Sequence, residues 1–242
     1  TSIFETNKGE NISVYILTDG ISEKAKVMFS LLAKQYGQRI IIKEIDKSCF
    51  NGLTVNERFP ISMYYRFLLP DMLQNEDKVL YLDCDIMVDA SLDELYATDI
   101  SDIALAACAE HDGKTGQLQI SESHISRLEY PKEWGYFNSG VLLMNLSYWR
   151  QHNIPDALFA YVEKNQDKCL CHDQDALNAV LGGQKRFLPY KYNFMTHFFT
   201  AGYAQYDKTV LLQERPAIIH YCSPGKPWDW YLPDYPFVKR WK

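Results

Sequence analysis

Two aspartates one residue apart, Asp83 and Asp85, end the apolar run Val79-Leu80-Tyr81-Leu82. In an extended chain residues i and i+2 point to the same face, so this spacing sets two like charges side by side. A cation, or a shared proton, resolves such a conflict. The plain alternative is a solvated strand end that leads into a turn. A histidine, His220, closes a second apolar run, Pro216-Ala217-Ile218-Ile219. A lone histidine at a strand end is more often structural than functional. If the two strand ends are near neighbours, however, two carboxylates and an imidazole converge. That set suits Mn or a similar divalent ion with positions left open for a ligand. After His220 comes Tyr221-Cys222-Ser223-Pro224-Gly225-Lys226. Gly225 admits close backbone approach and Lys226 is a mobile point charge. Beside a metal they hold phosphate oxygens; alone they are a Pro/Gly turn with an exposed lysine.

The elements that must position these residues alternate along the chain. Apolar runs predict strands over 12–17, 39–45, 78–82, 103–108, 140–144 and 217–221. Helical spacing predicts helices over 22–36, 61–69, 92–96, 155–163 and 173–181. The polar stretch 113–132 lacks periodicity and is expected to be a loop, one that folds over a bound ligand. Strands taking turns with helices indicate an α/β chain, a mostly parallel sheet flanked by helices. In such sheets ligands bind outside the carboxyl ends of the strands, where Asp83, Asp85 and His220 stand. With no repeat and no linker, residues 1–242 are expected to form one domain.

Composition narrows the class. A net charge of −6 argues against nucleic acid as the main partner. No apolar run reaches the length of a membrane span. The ending KPWDWYLPDYPFVKRWK, with Lys239, Arg240 and Lys242, is rich in aromatic and basic residues and suits either peripheral membrane contact or a surface tail. Six scattered cysteines contain no C-x-x-C pair, which points to a reducing cytoplasm rather than a zinc site or a disulfide framework. Cys84 and Cys108 read as small core residues.

Five segments in order, ISMYYRFLLP (61–70), KVLYLDCDIMV (78–88), YFNSGVLLMNL (136–146), HDQDALN (172–178) and HYCSPGKPW (220–228), resemble the family 8 glycosyltransferases. These are retaining enzymes of GT-A fold that include bacterial lipopolysaccharide galactosyl- and glucosyltransferases. The resemblance runs over nearly the whole chain. It implies a donor, UDP-galactose or UDP-glucose, and a glycan acceptor such as lipopolysaccharide. Asp83, Asp85 and His220 would hold Mn or Mg. Arg66, in a Y-x-R pattern with Tyr64, would sit near the donor, as would Asn138 with Ser139 and Gly140. Asp173 would bond sugar hydroxyls, Gln174 would lie under the anomeric carbon, and Gly225 and Lys226 would contact the diphosphate.

Retention usually invites a carboxylate nucleophile. The Gln174 amide is a poor nucleophile, so a front-face reaction is expected, in which the departing phosphate takes the acceptor proton and Gln174 acts electrostatically. Asp173 as nucleophile is the rival. By the family pattern a base-binding strand should precede Thr1, and the sheet without it would show two open edges. The C-terminus is likewise expected to be incomplete. Two other classes compete: a haloacid-dehalogenase-like phosphatase, which also uses D-x-D, and a non-catalytic relic of the transferase fold that binds sugar or protein.

Overall fold

The computed structural model describes residues 1–53, 60–110, 122–200, 210–223, 225–229 and 235–241. In chain order the elements are α1 (Ser2–Thr6), β1 (Ser13–Thr18), α2 (Glu23–Tyr36), β2 (Arg39–Glu44), α3 (Leu69–Met72), β3 (Lys78–Leu82), β4 (Ile86–Val88), α4 (Asp93–Tyr96), β5 (Leu105–Ala109), α5 (Glu122–Leu128), β6 (Phe137–Asn145), α6 (Leu146–Gln151), α7 (Ile154–Asn165), α8 (His172–Leu181), β7 (Lys185–Leu188), β8 (Phe194–Met195) and β9 (Ile218–His220). Ile61–Leu68, ahead of α3, is a 3-10 helix.

The organising strand is β6. All nine of its residues are buried, because both its faces are covered. Leu142 and Met144 pack with Phe67, Trp149 and Leu177 on one side, while Val141 and Leu143 pack with Ala106, Cys108 and Ile218 on the other. That is the period-2 alternation of a strand buried on both faces. Each fully buried leucine there contributes about 2 kcal/mol. Capping sets the helix ends. Ser22 accepts from the Ala25 amide to start α2, and Gly37, at φ 63°, ends it in the left-handed conformation that glycine adopts without strain. Asn145 starts α6 by accepting from the Tyr148 amide, and its side-chain nitrogen donates to Ile100 O.

The α/β class holds, but strand direction is mixed rather than mostly parallel. Among the described residues the central sheet has the order β3-β6-β5-β7, β1 pairs with β2, and β4-β9-β8 form a third group. β6 runs antiparallel to both β3 and β5, and β4 is antiparallel to β9; the parallel pairs are β1–β2, β5–β7 and β8–β9. Three short strands, β4, β7 and β8, were not expected from the sequence. Two or three residues carry no readable periodicity, and β7 (Lys-Arg-Phe-Leu) opens with two charges.

Three other expectations change. Asp83 stands at the end of β3, its amide bonded to Gly140 O, but Cys84 and Asp85 form the turn into β4, so the two aspartates do not share one extended strand. Cys84 is exposed there, whereas Cys108 is buried as expected. Within the stretch 113–132 the residues to 121 lie outside the described residues, and Glu122–Leu128 form a helix, not a loop. No helix among the described residues is long and apolar enough to cross a membrane.

Candidate active site

The turn after β3 brings both aspartates towards His220. The imidazole reaches them through β4, not β3: β4 pairs with β9 so that Ile86 opposes His220. His220 Nε2 stands 3.2 Å from Asp85 Oδ1 and 3.8 Å from Asp83 Oδ2. One ligand atom from each of the three residues falls within 4.8 Å of the others. Gly140 on β6 makes room for them. A Cβ at that position would sit 2.2 Å from His220 Cε1 and 3.0 Å from Asp83 Oδ2, so any side chain would displace the cluster. Two carboxylates, one imidazole and a wall without a side chain fit a divalent cation of the Mn or Mg kind.

Cations of the chain frame this cluster. Lys226 Nζ donates to Asp85 Oδ2 at 2.7 Å and to Tyr221 O at 2.7 Å. Burial raises the Asp85 carboxyl, but His220 and Lys226 outweigh it and hold the group well below the usual carboxylate range. Gly225, just before Lys226, accepts a hydrogen bond from the Tyr235 hydroxyl through its carbonyl. On the other side the 3-10 helix buries Arg66, which donates to Asp83 Oδ1 at 3.0 Å and to Ser139 O at 2.5 Å. Its guanidinium lies 4.3 Å from the Tyr81 ring centroid, and the Tyr81 hydroxyl donates to the same Asp83 oxygen. Tyr64 is a core aromatic packed with Phe50 and Phe67.

Arg66 also links the carboxylate–imidazole cluster to the start of α8. Its Nε is 3.4 Å from Asp173 Oδ2. Burial pushes the Asp173 carboxyl up to about 6, against the pull of Arg66. Gln174, next on α8, is clamped by its amide. Its Oε1 accepts from the Ser139 amide at 2.9 Å and the Asn138 side chain at 3.2 Å. Its Nε2 donates to Glu110 Oε2 and Tyr136 Oη, both at 3.1 Å. Arg66, Asp83, Asp85, Asn138, Ser139, Gly140, Asp173, Gln174, His220 and Lys226 are therefore joined by contacts, with Gly225 at the margin.

Sequence reasoning passed over four residues of this assembly. Glu110 follows β5; burial raises its carboxyl, opposed by the amides of Asn138 and Gln174. His197 lies 3.7 Å from Glu110, and burial lowers its imidazole to about 4. Asp175 is fully buried and accepts the Tyr136 hydroxyl and the Leu170 and Cys171 amides. Asn193 is fully buried between Asn138 and His220. Of these only Asp175 carried a usable signal, as the last of the four polar residues HDQD.

A carboxylate–imidazole cluster at the mouth of an α/β sheet, with a polar ledge from α8 beside it, is the arrangement of a GT-A glycosyltransferase. The structure superposes on a crystal structure of galactosyltransferase LgtC in complex with donor and acceptor sugar analogues, with a TM-score of 0.81 and 30% identity, over 94% of this chain and 82% of that one. The model of glycosyl transferase family 8 matches residues 1–230, and the chain belongs to that family. It is 27% identical to General stress protein A of Bacillus subtilis, over 90% of this chain and 77% of that protein. It is 30% identical to lipopolysaccharide glucosyltransferase WaaO of Escherichia coli, over 97% of this chain and 69% of that protein. The dehalogenase-like alternative falls with this fold.

Proposed function

We propose that the chain transfers a hexose, galactose or glucose, from a UDP-sugar to a glycan acceptor such as lipopolysaccharide, with retention of configuration and with a divalent ion, Mn or Mg, held by Asp83, Asp85 and His220. The observation that carries this reading is the convergence of those three ligands beside the Asp173–Gln174 ledge, within contacts of a few ångströms. A divalent ion bound there supplies Lewis-acid stabilisation of the charge that grows on the leaving diphosphate. Lys226 adds a mobile cation on the same side, and Gly225 lets the phosphates approach the backbone.

On the sugar side, Asp173 accepts donor hydroxyls while Arg66 holds it in place. Asn138, Ser139 and Gly140 line the donor face. Gln174 lies under the anomeric carbon, where its carbonyl dipole favours positive charge on the sugar. That oxygen already receives the Ser139 and Asn138 donors, which leaves it still less nucleophilic. A front-face reaction follows, in which the acceptor hydroxyl gives its proton to the departing phosphate. The WaaO relative and the galactosyltransferase neighbour support the choice of hexose. Exposed Trp228 and Trp241 with Lys239 and Arg240 suit peripheral contact with the cytoplasmic face of a membrane.

Calorimetric titration of UDP, with and without Mn, into the chain and its Asp85→Asn variant tests the reading. Metal-dependent binding that falls about 100-fold or more in the variant is expected, because one of three ligands is lost. Loss of Mn-dependent hydrolysis of the UDP-sugar should accompany it. A folded chain that binds neither UDP nor Mn would instead be a relic of the transferase fold.

A further inference from the structure

Asn193 is wholly buried and stands immediately before β8, whose parallel pairing sets Met195 opposite His220. Its side-chain nitrogen meets Asn138 Oδ1 at 2.9 Å, and its Oδ1 meets His220 Nδ1 at 3.0 Å. One backbone group decides the direction of every proton in this chain of contacts. The Gly140 N–H can only donate, and it points at Asn138 Oδ1 from 3.0 Å. That atom is therefore oxygen. The Asn193 atom beside it must be the NH2 group, and the remaining Asn193 atom the carbonyl oxygen. An amide oxygen only accepts, so His220 Nδ1 carries a proton. With Nδ1 committed to Asn193, Nε2 is the ring nitrogen left to ligate a cation.

Nε2 faces Asp85 Oδ1 at 3.2 Å and Asp83 Oδ2 at 3.8 Å. When Nε2 carries no proton, it and the two carboxylates turn three ligand atoms towards one point, where a cation would be held. The other end of the chain leads to the donor face. With its oxygen committed to Gly140 and Asn193, Asn138 offers its NH2 to Gln174 Oε1 at 3.2 Å and Glu110 Oε2 at 3.3 Å.

We propose that Asn193 is a positioning residue that holds His220 in the Nδ1–H tautomer for divalent-cation binding and ties this ligand to the Asn138 amide on the donor face. The inference rests on the proposed metal site. It differs from simple burial of a polar side chain in requiring one tautomer and one order of protons.

Nitrogen-15 spectra of the histidine side chains, taken without metal at a pH well above the imidazole range, read the tautomer directly. Nδ1–H is expected for His220 in the wild type and in Asn193→Asp, which keeps the accepting oxygen; the preference should vanish in Asn193→Ala. Free-Mn electron paramagnetic resonance then gives affinities. Asn193→Ala should weaken Mn binding about tenfold or more, and Asn193→Asp by only about threefold, since it keeps the oxygen facing Nδ1 and loses the donor to Asn138. Asn138→Ala should weaken Mn binding in the wild-type background and not in Asn193→Ala. A proton on Nε2, or Mn bound equally well by a folded Asn193→Ala, overturns the inference. If Asn193→Ala does not fold, the wild-type tautomer and the Asn193→Asp affinity still decide. Failure of the metal reading looks different: the wild type would take up no Mn while His220 kept its Nδ1–H form.

Discussion

Asp173 shows how far a single burial can set the terms of a site. Its carboxyl is pushed up to about 6 by burial, with Arg66 pulling the other way and Asp83 adding to the rise. A carboxyl raised on folding favours the folded state in its protonated form. The stability it lends is full below the unfolded carboxylate range, about 4, and is lost as pH rises through about 6. Asp173→Asn cannot ionise. Urea melts should show the variant gaining on the wild type, by about 3 kcal/mol between about pH 4 and about pH 7, as expected for a shift of two pKa units. Activity should move the other way. The wild-type kcat/KM should fall as acid protonates Asp173, and the Asn variant should be low and flat across that range. A variant as pH-dependent in stability as the wild type would place the titration elsewhere. The same residue thus opposes folding stability at neutral pH and is expected to serve the donor, a conflict common at functional sites.

At the scale of elements, the turn entering α8 carries both Asp173 and Gln174. His172 adopts φ 25°, in the left-handed region that a non-glycine residue enters under strain. Asp175 holds the turn down. One oxygen accepts the Leu170 and Cys171 amides at 2.7 and 2.8 Å, and the other accepts the Tyr136 hydroxyl at 2.6 Å. Asp175→Asn replaces one accepting oxygen with a donor that faces donors. The expected loss is about 2–4 kcal/mol in urea unfolding, as for other broken buried networks. Hydrogen exchange at Leu170 and Cys171 should quicken with it. Unchanged exchange would show that the turn is held by something other than Asp175. Activity should drop too, since Gln174 and Tyr136 share the network.

For the whole molecule, the site gathers pieces that lie far apart in the chain: the turn after β3, the start of β6, the start of α8 and the end of β9. A ligand that bridges them stabilises the folded state alone. If the metal cluster binds as proposed, Mn at a hundredfold excess over its Kd should add about 2.7 kcal/mol. The thermal midpoint should rise accordingly and return on chelation. In Asp85→Asn the rise should disappear. An equal rise in that variant would move the metal to some other set of ligands.

Much of this was legible in the sequence, and for a physical reason. Strand and helix positions such as Lys78–Leu82 and Glu23–Tyr36 followed from local periodicity, which is set within a few residues. Asp83, Asp85 and His220 were readable because charged or polar residues at the ends of apolar runs are expensive to bury without a partner, and Lys226 because it follows Gly225 a few residues beyond His220. What the tertiary structure decided was everything that depends on pairing between distant segments. β4 is too short to show a period, so only its pairing with β9 reveals how His220 reaches the aspartates. Glu110 and Asn193 look in sequence like ordinary polar residues of loops, and Asp175 shows only as one more polar residue of HDQD. Their burial, and the order of protons they impose, arises only where β5, β6, α8 and β8 meet.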